Sequence, residues 1–347
     1  MFKRSARFAS LIGISLLALN ACEPGGNTPS TEESSGQEVS TYTNPLMIRD
    51  FADPYVFKDD DGYYYGYATE GPIVRSSDMV SWENVGSVTL PTWGTPGAHI
   101  WAPCVQRFGD TYNYYYALST WGDPNPGVGV MTSDSPSGPF TDLGKLFDST
   151  GSGVANSIDP DVFTDPVSGK TYIFWGSFHG IWAYELDSET GLGILSDEPT
   201  CIIQSTDYEA PNMLYANNRY YLFMSAGSCC EGENSTYNVQ VYTSDSVLGP
   251  YTKSPVGDPS WSGSILHQLP LDRTDDGPAQ AVYGPGHSVV VQDGAGDYWL
   301  YYHGYYRSGI HTSTRILFMD KLLWTSDGYP YIDGYVPTLT EQEAPEP

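Results

Sequence analysis

The feature that most constrains this chain is an internal repeat of five similar segments. Each segment opens on a short motif, passes through a Gly- or Asp-containing turn and continues as a run rich in Tyr, Val, Ile and Phe. The motifs contain Pro54, Pro103, Pro160, Pro211 and Pro285, which lie 49 to 74 residues apart. Helical periodicity is almost absent, and repeats of this length with several strands each are typical of propeller blades. We therefore predict an all-β fold, a five-bladed β-propeller with a longer connection before the last blade.

The two ends of the chain lie outside the repeat and predict an exported, anchored protein. Three basic residues precede an apolar run from Leu11 to Leu19, and Cys22 follows as in a bacterial lipobox; a plain secretory signal is the alternative. The segment after Cys22 is polar and rich in Gly, Pro and Ser, which favours a flexible tether. The predicted divisions are a lipoprotein signal peptide at 1–21, an acidic tether at 22–44, the propeller at 45–340 and an acidic tail without a core role at 341–347. We expect the protein in the bacterial cell envelope, periplasmic or at the cell surface, and attached to a membrane only through a lipid on Cys22.

The charge balance excludes whole classes of partner. Forty-two acidic residues against 15 basic ones give a formal net charge of -27, which argues against nucleic acid and anionic lipid as partners. The aromatic fraction of 14% excludes disorder for the bulk of the chain. A neutral polysaccharide suits this composition, because aromatic faces stack on sugar rings and carboxylates bind hydroxyl groups.

The cysteines and most of the histidines give no metal or disulfide pattern. Besides Cys22 the chain has Cys104, Cys201, Cys229 and Cys230, whose spacing matches neither a disulfide scaffold nor a zinc site. Their oxidation state is left open. No function is assigned to four of the histidines: His99, His267, His303 and His311.

The repeat predicts where a site would form. The first strand of each propeller blade lines the central channel, and these strands run nearly parallel, so equivalent residues converge on one funnel. The residues within two positions of the motif prolines are Asp53, Trp101, Asp159 and Glu209, which precede them, and His287, which follows its proline. Asp-Pro alone is ordinary turn chemistry. Three carboxyl groups at one equivalent place favour a functional site instead.

Several longer segments carry a family resemblance. They are residues 156–160, 176–181, 227–237 with its double cysteine, 284–289 and 314–330. From about residue 50 to residue 330 the chain resembles glycoside hydrolase family 43, five-bladed propellers that cleave arabinan and xylan chains. These segments are most similar to its endo-1,5-α-L-arabinanase branch. A departure is His179 after Phe178, where family members often carry a longer Trp-Ser-Gly-Ile sequence.

The resemblance implies an inverting hydrolase with two acting carboxyl groups. Matched motif by motif, Glu209 is the expected general acid and Asp53 the general base. Inversion places two such groups roughly 6.5–9.5 Å apart, with room for a water molecule. We expect Asp159 to orient Glu209 and, through its negative charge, to keep the acid protonated near neutral pH.

Four further residues are predicted to bind substrate, each with a simpler alternative. Trp101 is expected to stack on a sugar ring, the alternative being blade packing. Asn156 is expected to donate to a sugar hydroxyl, or else to form a turn. Phe178 is expected to form a subsite wall. Arg315 is expected to reach the channel and bind sugar or Asp53, or else to form a surface ion pair.

The resemblance also implies a calcium ion. In similar arabinanases the histidine matching His287 binds a hydrated calcium ion on the channel axis. Calcium prefers oxygen ligands, so this requires water in the remaining coordination positions and negative potential from Asp53 and Asp159. The alternative is that His287 only hydrogen-bonds a sugar hydroxyl or a carboxylate, without a metal.

Three functions follow from these observations. The first is a monomeric, endo-acting hydrolase of α-1,5-linked L-arabinan, acting on plant cell-wall arabinan or its oligosaccharides. The second is an exo-acting α-L-arabinofuranosidase or β-xylosidase with the same three carboxyl groups. The third is a carbohydrate-binding surface propeller without activity, against which the intact Asp53, Asp159 and Glu209 argue.

Overall fold

Antiparallel sheets built from consecutive strands account for nearly all the regular structure. The computed structural model describes residues 40–271, 279–308, 310–311 and 313–347. The predicted signal peptide, the predicted lipidation site at Cys22 and the predicted tether up to residue 39 lie outside the described residues. Within the described part of the chain, the helices are too short and too polar to cross a bilayer.

Five of these sheets are blades, and each follows the order of the chain. A first strand, β1 (Thr41–Tyr42), precedes them. Blade 1 contains β2 (Tyr55–Lys58), β3 (Tyr64–Tyr67), β4 (Pro72–Ser76) and β5 (Glu83–Ser87). Blade 2 contains β6 (His99–Phe108), β7 (Thr111–Ser119), β8 (Gly127–Ser133) and β9 (Thr141–Asp148). Blade 3 contains β10 (Asp161–Thr164), β11 (Thr171–Trp175), β12 (Ile181–Leu186) and β13 (Thr200–Ile203).

The last two blades follow the same plan. Blade 4 contains β14 (Tyr208–Ala216), β15 (Arg219–Ala226), β16 (Asn238–Ser244) and β17 (Thr252–Lys253). Blade 5 contains β18 (Gln280–Gln292), β19 (Tyr298–Ser308), β20 (Ile310–His311), β21 (Ile316–Trp324) and β22 (Pro330–Tyr331). The first strands of neighbouring blades contact one another around the whole ring, including β18 of blade 5 with β2 of blade 1. This arrangement confirms the predicted five-bladed propeller.

Helical structure among the described residues is confined to short segments. They are α1 (Ser149–Ser152) and the 3₁₀ segments Gly232–Asn234, Pro259–Trp261 and Asp333–Tyr335.

Tyrosines and other aromatic residues form the contacts between blades. The ring of Tyr67 in blade 1 meets that of Tyr114 in blade 2 edge-on, with 5.8 Å between centroids. Phe147 of blade 2 packs on Trp175 of blade 3 at 4.6 Å. Some buried tyrosine hydroxyls donate to backbone carbonyls, as Tyr67 does to the carbonyl of Pro136 (2.6 Å). Because both faces of a middle strand are covered by neighbouring blades, these strands are aromatic throughout rather than alternating.

The two ends of the described chain meet beside blade 5, which corrects two predicted boundaries. The strand β1 pairs with β23 (Gln342–Glu343), so the segment 341–347 is part of the fold and not a free tail. The side chain of Asn44 binds both the carbonyl oxygen and the amide of Met319, at 2.7 and 3.0 Å, so the tether ends before residue 44. Two-residue strands are too short to produce a recognisable sequence pattern.

Candidate active site

All five inner strands change backbone conformation at the same level of the channel. The residues at this level are Asp53, Ala102, Asp159, Ala210 and His287, with φ angles of 54°, 42°, 59°, 54° and 48°. Positive φ is costly for residues other than glycine and is held only where surrounding structure imposes it, most often at functional sites. The pairing of the inner strand with the second strand also shifts register here in blades 2, 4 and 5.

The residues with positive φ correct the predicted alignment of the repeats. The prediction aligns Trp101 and Glu209 with the aspartates, but each lies one residue before the positive-φ residue of its blade. In blade 5 the residue after the positive φ is Ser288, so Pro285 is not the counterpart of the other motif prolines. His287 therefore takes the position that the aspartates take in blades 1 and 3.

Asp53 is a buried carboxylate surrounded by donors. Arg315 Nη1 donates to its Oδ1 at 2.7 Å, and Thr69 Oγ1 donates to its Oδ2 at 2.5 Å. Burial disfavours the charged form, but the positive charges of Arg315 and His287 outweigh burial and hold the pKa of Asp53 well below its usual value. Asp53 is therefore ionised across the neutral range, as a general base requires.

Glu209 is a buried carboxyl group held by two hydroxyls from different blades. Ser177 Oγ donates to Oε2 and Tyr237 Oη donates to Oε1, each at 2.6 Å. Burial raises the pKa of Glu209, although both hydroxyls favour its ionised form. Glu209 therefore keeps a proton to higher pH than an exposed glutamate, as a general acid requires.

Asp159 is the third buried carboxyl group of the funnel. Burial raises its pKa to about 8, opposed by His287 and reinforced by the charges of Glu209 and Asp53. The carboxyl group of Asp159 is thus protonated through much of the neutral range, and burial is the first cause of the raised pKa of Glu209. Asp159 and Glu209 titrate as an interacting pair, and the charge of Glu209 raises the pKa of Asp159. Both roles expected of Asp159, raising the pKa of Glu209 and orienting it, stay predictions.

Two histidines lie against Asp53. His287 Nδ1 is 3.3 Å from Asp53 Oδ1, and His303 Nδ1 accepts from the Asp53 amide at 3.0 Å. His303 is fully buried, and burial lowers its pKa to about 4, so its ring is neutral. Its ring also stacks on Tyr237, with centroids 5.7 Å apart. Assigning no function to His303 was wrong, since it supports the backbone of one carboxylate residue and the side chain that binds another.

The lowered pKa of Asp53 and the raised pKa of Glu209 suit glycoside hydrolysis. Comparison with known protein families agrees with this chemistry. The sequence profile described as Glycosyl hydrolases family 43 matches residues 42–330. The chain belongs to glycoside hydrolase family 43.

Relatives of this family 43 enzyme were found by sequence and by structure. The extracellular endo-α-(1→5)-L-arabinanase 1 of Bacillus subtilis is 29% identical over 266 residues, covering 65% of this chain and 81% of that protein. A probable arabinan endo-1,5-α-L-arabinosidase C of Aspergillus fumigatus is 32% identical over 293 residues, covering 76% and 86%. A solved exo-1,5-α-L-arabinanase from a bovine ruminal metagenomic library is 29% identical with a TM-score of 0.66, covering 84% and 99%. The family 43 chain is therefore a glycoside hydrolase.

The remaining predicted substrate residues surround the carboxyl groups in different ways. Arg315 binds Asp53 and is not a surface ion pair, because its side chain is only 18% exposed. Asn156 Nδ2 donates to Ser177 Oγ at 2.8 Å, so its amide supports the hydroxyl that holds Glu209. Phe178 is half-buried with φ of 56°, and its amide binds the carbonyl of Tyr208. Trp101 is half-buried at the register shift of blade 2. Direct sugar contacts by these four residues stay predictions.

The residues that sequence reasoning missed are hydroxyl and imidazole groups behind the carboxylates. They are Thr69, Ser177, Ser225, Tyr237 and His303. Ser177 and Tyr237 lie in segments that carry the family resemblance, which is the one signal that could have found them. Ser225 Oγ accepts from the His287 amide at 2.8 Å and so fixes the backbone at the strained position.

The double cysteine lies in the loop that leads to Tyr237. Cys229 and Cys230 form a disulfide between neighbours, which closes no longer stretch of chain, while Cys104 and Cys201 are free. The loop is tied to blade 5 by an ion pair between Arg307 and Glu233 at 3.1 Å. The four cysteines of the family 43 domain therefore do not form a disulfide framework.

The charges around His287, and not a set of protein ligands, are what would favour a calcium ion at this site. The described residues contain no group of three or more His, Cys, Asp or Glu side chains arranged to hold a metal ion. Burial lowers the pKa of His287, but the surrounding carboxyl groups, Asp53 first, outweigh burial and raise that pKa, so positive charge is favoured at this position. The residues present thus fit a cation whose coordination shell is mostly water, and His287 would have to give up its proton to act as its protein ligand.

Proposed function

We propose that this protein hydrolyses α-1,5-linked L-arabinan with inversion of configuration. The observation that carries the proposal is the opposite pKa shifts of two buried carboxyl groups at one funnel: the pKa of Asp53 is held well below its usual value and the pKa of Glu209 is raised. Inverting glycosidases require this division between a base and an acid. The names of the sequence relatives support arabinan as the polymer.

The side chains divide the proton transfers between them. Glu209 gives its proton to the glycosidic oxygen as the bond to the leaving sugar breaks. Asp53 takes a proton from the water that attacks the opposite face of the sugar ring. Arg315 and Thr69 fix the two oxygens of Asp53, so the base does not turn away from that water. Ser177 and Tyr237 do the same for Glu209 and stabilise the carboxylate that remains after proton transfer.

We infer that the enzyme is a monomer and acts within the chain rather than at its end. The relatives described above include endo-acting enzymes, and this is the reading we adopt. One observation favours exo action as a second candidate: the solved structure described above is an exo-1,5-α-L-arabinanase. The two modes share the same chemistry and differ only in how the groove ends.

Product analysis tests the proposal. Linear α-1,5-arabinan and an aryl α-L-arabinofuranoside are incubated with the wild type and with Glu209→Ala. Oligosaccharides from the polymer indicate endo action, arabinose alone indicates exo action, and binding without release would leave a carbohydrate-binding propeller. Glu209→Ala should lose nearly all polymer hydrolysis but retain far more activity on an aryl leaving group that needs no proton. Equal losses on both substrates would refute Glu209 as the acid. Hydrolysis of xylosides but not of arabinosides would refute arabinan as the substrate.

We also propose a hydrated calcium ion beside His287. When bound, it would supply positive charge that lowers the cost of placing three carboxyl groups in one funnel. Exhaustive chelation should lower activity and calcium should restore it, whereas His287→Ala should lose this dependence. Isothermal titration with calcium provides a readout besides activity, and no calcium binding to the chelated enzyme would leave His287 with hydrogen bonding alone.

We further propose export and lipid anchoring through Cys22. The name of the Bacillus subtilis relative describes an extracellular protein, which supports export. An acyl chain on Cys22 would hold the acidic domain at a membrane that its charge alone would not favour. Cys22→Ser should release the protein from the membrane fraction in soluble form. Unchanged fractionation would refute the lipobox assignment.

A further inference from the structure

A second pocket lies on blade 4, at the row of the sheet next to the one that contains the proposed acid. It is a cavity of about 330 Å³ between β14, β15 and β16 and the 3₁₀ segment Pro259–Trp261 in the connection to blade 5. Glu209 pairs with Ser225, and the next row of the sheet is Tyr208, Ala226 and Asn238. All three residues of that row line the pocket. The pocket therefore begins one residue beyond the level of Glu209.

The aromatic wall of this pocket is fixed before any ligand binds. The indole of Trp261 lines the cavity and stacks on His267, with centroids 4.9 Å apart and 6° between the planes. His267 in turn has its Nε2 3.0 Å from the carboxylate of Asp258. The same carboxylate caps the 3₁₀ segment by accepting from the Ser260 amide at 2.8 Å. An aromatic surface held this firmly loses little conformational entropy when a sugar ring stacks on it.

The polar wall contains an unused hydrogen-bond acceptor. Gln240 is only 2% exposed, and its Nε2 donates to Asn238 Oδ1 at 2.7 Å and to the carbonyl of Trp261 at 3.3 Å. Its Oε1 is buried and has no hydrogen-bond partner among the described residues. A buried acceptor without a partner is costly, so a hydroxyl donor at this position would be favoured.

The charges of the pocket favour a neutral ligand. One basic residue, Lys253, and one acidic residue, Asp207, line it. The ammonium group of Lys253 already donates to the carbonyl of Ser262 at 2.6 Å. With one charge of each sign, no anion or cation is selected, whereas an indole face together with amide and hydroxyl groups suits a polyhydroxylated ring.

We propose that this pocket binds a pentose residue of the polymer on the leaving-group side of the bond that is cleaved. The proposal rests on the proposed function, because Glu209 faces the leaving group only if it is the acid. A polymer held at both the funnel and this pocket binds more tightly than a short substrate that reaches the funnel alone. The pocket thus makes the enzyme prefer long chains without taking part in the chemistry.

The test compares a polymer with a small substrate in Trp261→Ala and Gln240→Met. For each variant we expect KM on linear arabinan to rise about tenfold, with kcat little changed and kcat/KM on the aryl arabinofuranoside within about twofold of wild type. Trp261→Phe should recover part of the polymer affinity. Trp324→Ala removes a half-buried indole of blade 5 that packs on Tyr221 of blade 4 and on Tyr298 of its own blade, and it controls for general loss of stability.

The outcomes separate this inference from the proposed function. If the wild type cleaves arabinan and both variants keep its KM, the pocket has no role in binding. The inference then fails, while the proposed function stands. Equal losses on the polymer and the aryl substrate would also refute it, because they would place the pocket in the reaction itself. A wild type that neither cleaves nor binds arabinan would refute both. Should Trp261→Ala not fold, Gln240→Met and affinity electrophoresis in arabinan gels decide the question.

Discussion

Arg315 and Asp53 are separated by 262 residues, yet Arg315 Nη1 donates to Asp53 Oδ1 at 2.7 Å. Arg315 comes from blade 5 and Asp53 precedes the first strand of blade 1, so this ion pair joins the two blades where the ring closes. Both side chains are largely buried, at 18% and 10% exposure, so solvent screens the pair only weakly. The pair therefore links closure of the propeller to the protonation state of the proposed base.

The first prediction concerns the acidic limb of the pH profile. Burial raises the pKa of Asp53, and Arg315 is the strongest influence that lowers it. Arg315→Gln should therefore raise this pKa, protonate the base at higher pH and move the acidic limb of kcat/KM upward by about one pH unit or more. The profile is measured on an aryl arabinofuranoside. Arg219→Gln, which removes a half-buried guanidinium from blade 4, is the control, and an unmoved limb in Arg315→Gln would contradict the electrostatic role.

The second prediction concerns the hydroxyls that hold Glu209. Both Ser177 and Tyr237 favour the ionised carboxylate, against the larger effect of burial. Tyr237→Phe should therefore raise the pKa of Glu209 further and move the basic limb to higher pH. Activity at the optimum should fall about tenfold, because the acid is held less firmly and its conjugate base is less stabilised. Ser177→Ala should act in the same direction.

The matched control for this pair is Tyr115→Phe. Tyr115 is a fully buried tyrosine whose hydroxyl donates to the carbonyl of Gly191 at 2.8 Å, away from the carboxyl groups. Its loss should lower stability without moving the basic limb. If Tyr115→Phe and Tyr237→Phe changed the pH profile alike, the shift would reflect general loosening of the fold.

The repeat and the aromatic strands predicted the fold because both are local properties of sequence. A blade is specified within about 50 residues, and its turns and strands repeat the same chemistry. The pairing of β1 with β23 escaped prediction because it joins the two ends through two residues each. The alignment of blade 5 was wrong because Ser288 replaces the proline that marks the other four blades.

The sequence motifs point to the carboxyl groups of the candidate site but not to the side chains that hold those groups in place. Asp53 and Asp159 stand beside prolines in a repeated motif, so they could be recognised. Tyr237 is one of 28 tyrosines, and only sheet register and a long loop bring it to Glu209. The pKa of Asp159 depends on burial by several blades at once, which no local pattern reports.

The third prediction concerns the backbone beneath Ser177. Gly176 has φ of 138°, and a Cβ added there would lie 2.1 Å from the carbonyl oxygen of Gly180. Gly176→Ala should therefore lower the free energy of unfolding by about 2–3 kcal/mol. It should also lower activity by displacing Ser177 from Glu209. Gly169→Ala in the same blade also has positive φ but open space around it, and should cost only about 1 kcal/mol with activity unchanged.

The outcome is read from urea unfolding and from hydrolysis of the aryl substrate. Comparable stability losses in the two glycine variants would show that the contact with Gly180 is relieved by a small backbone shift. Full activity in Gly176→Ala would show that Ser177 keeps its place without this glycine.

The last prediction concerns a buried carboxyl group in β21, outside the funnel. Asp320 is 2% exposed; Tyr302 Oη donates to its Oδ2 at 2.5 Å and the Thr338 amide to its Oδ1 at 3.2 Å. Burial raises its pKa to about 7, against 3.8 for an ordinary aspartate. Between these values the folded protein holds a proton that the unfolded chain has released. Stability from this group is therefore complete below about pH 4 and is lost as pH rises through 7.

Asp320→Asn removes this titration, because the amide is neutral at every pH and still accepts a hydrogen bond. Relative to wild type, the free energy of unfolding of Asp320→Asn should rise between pH 4 and pH 8 by at most about 4 kcal/mol, at about 1.36 kcal/mol per pKa unit. Urea unfolding at each pH measures it, with the exposed Asp197→Asn as control. Part of the pH dependence should persist in the variant, since burial also raises the pKa of Asp161 to about 7. A constant difference between Asp320→Asn and wild type across this range would mean that Asp320 is ionised in the folded protein, with the Tyr302 and Thr338 hydrogen bonds sufficient to offset its burial.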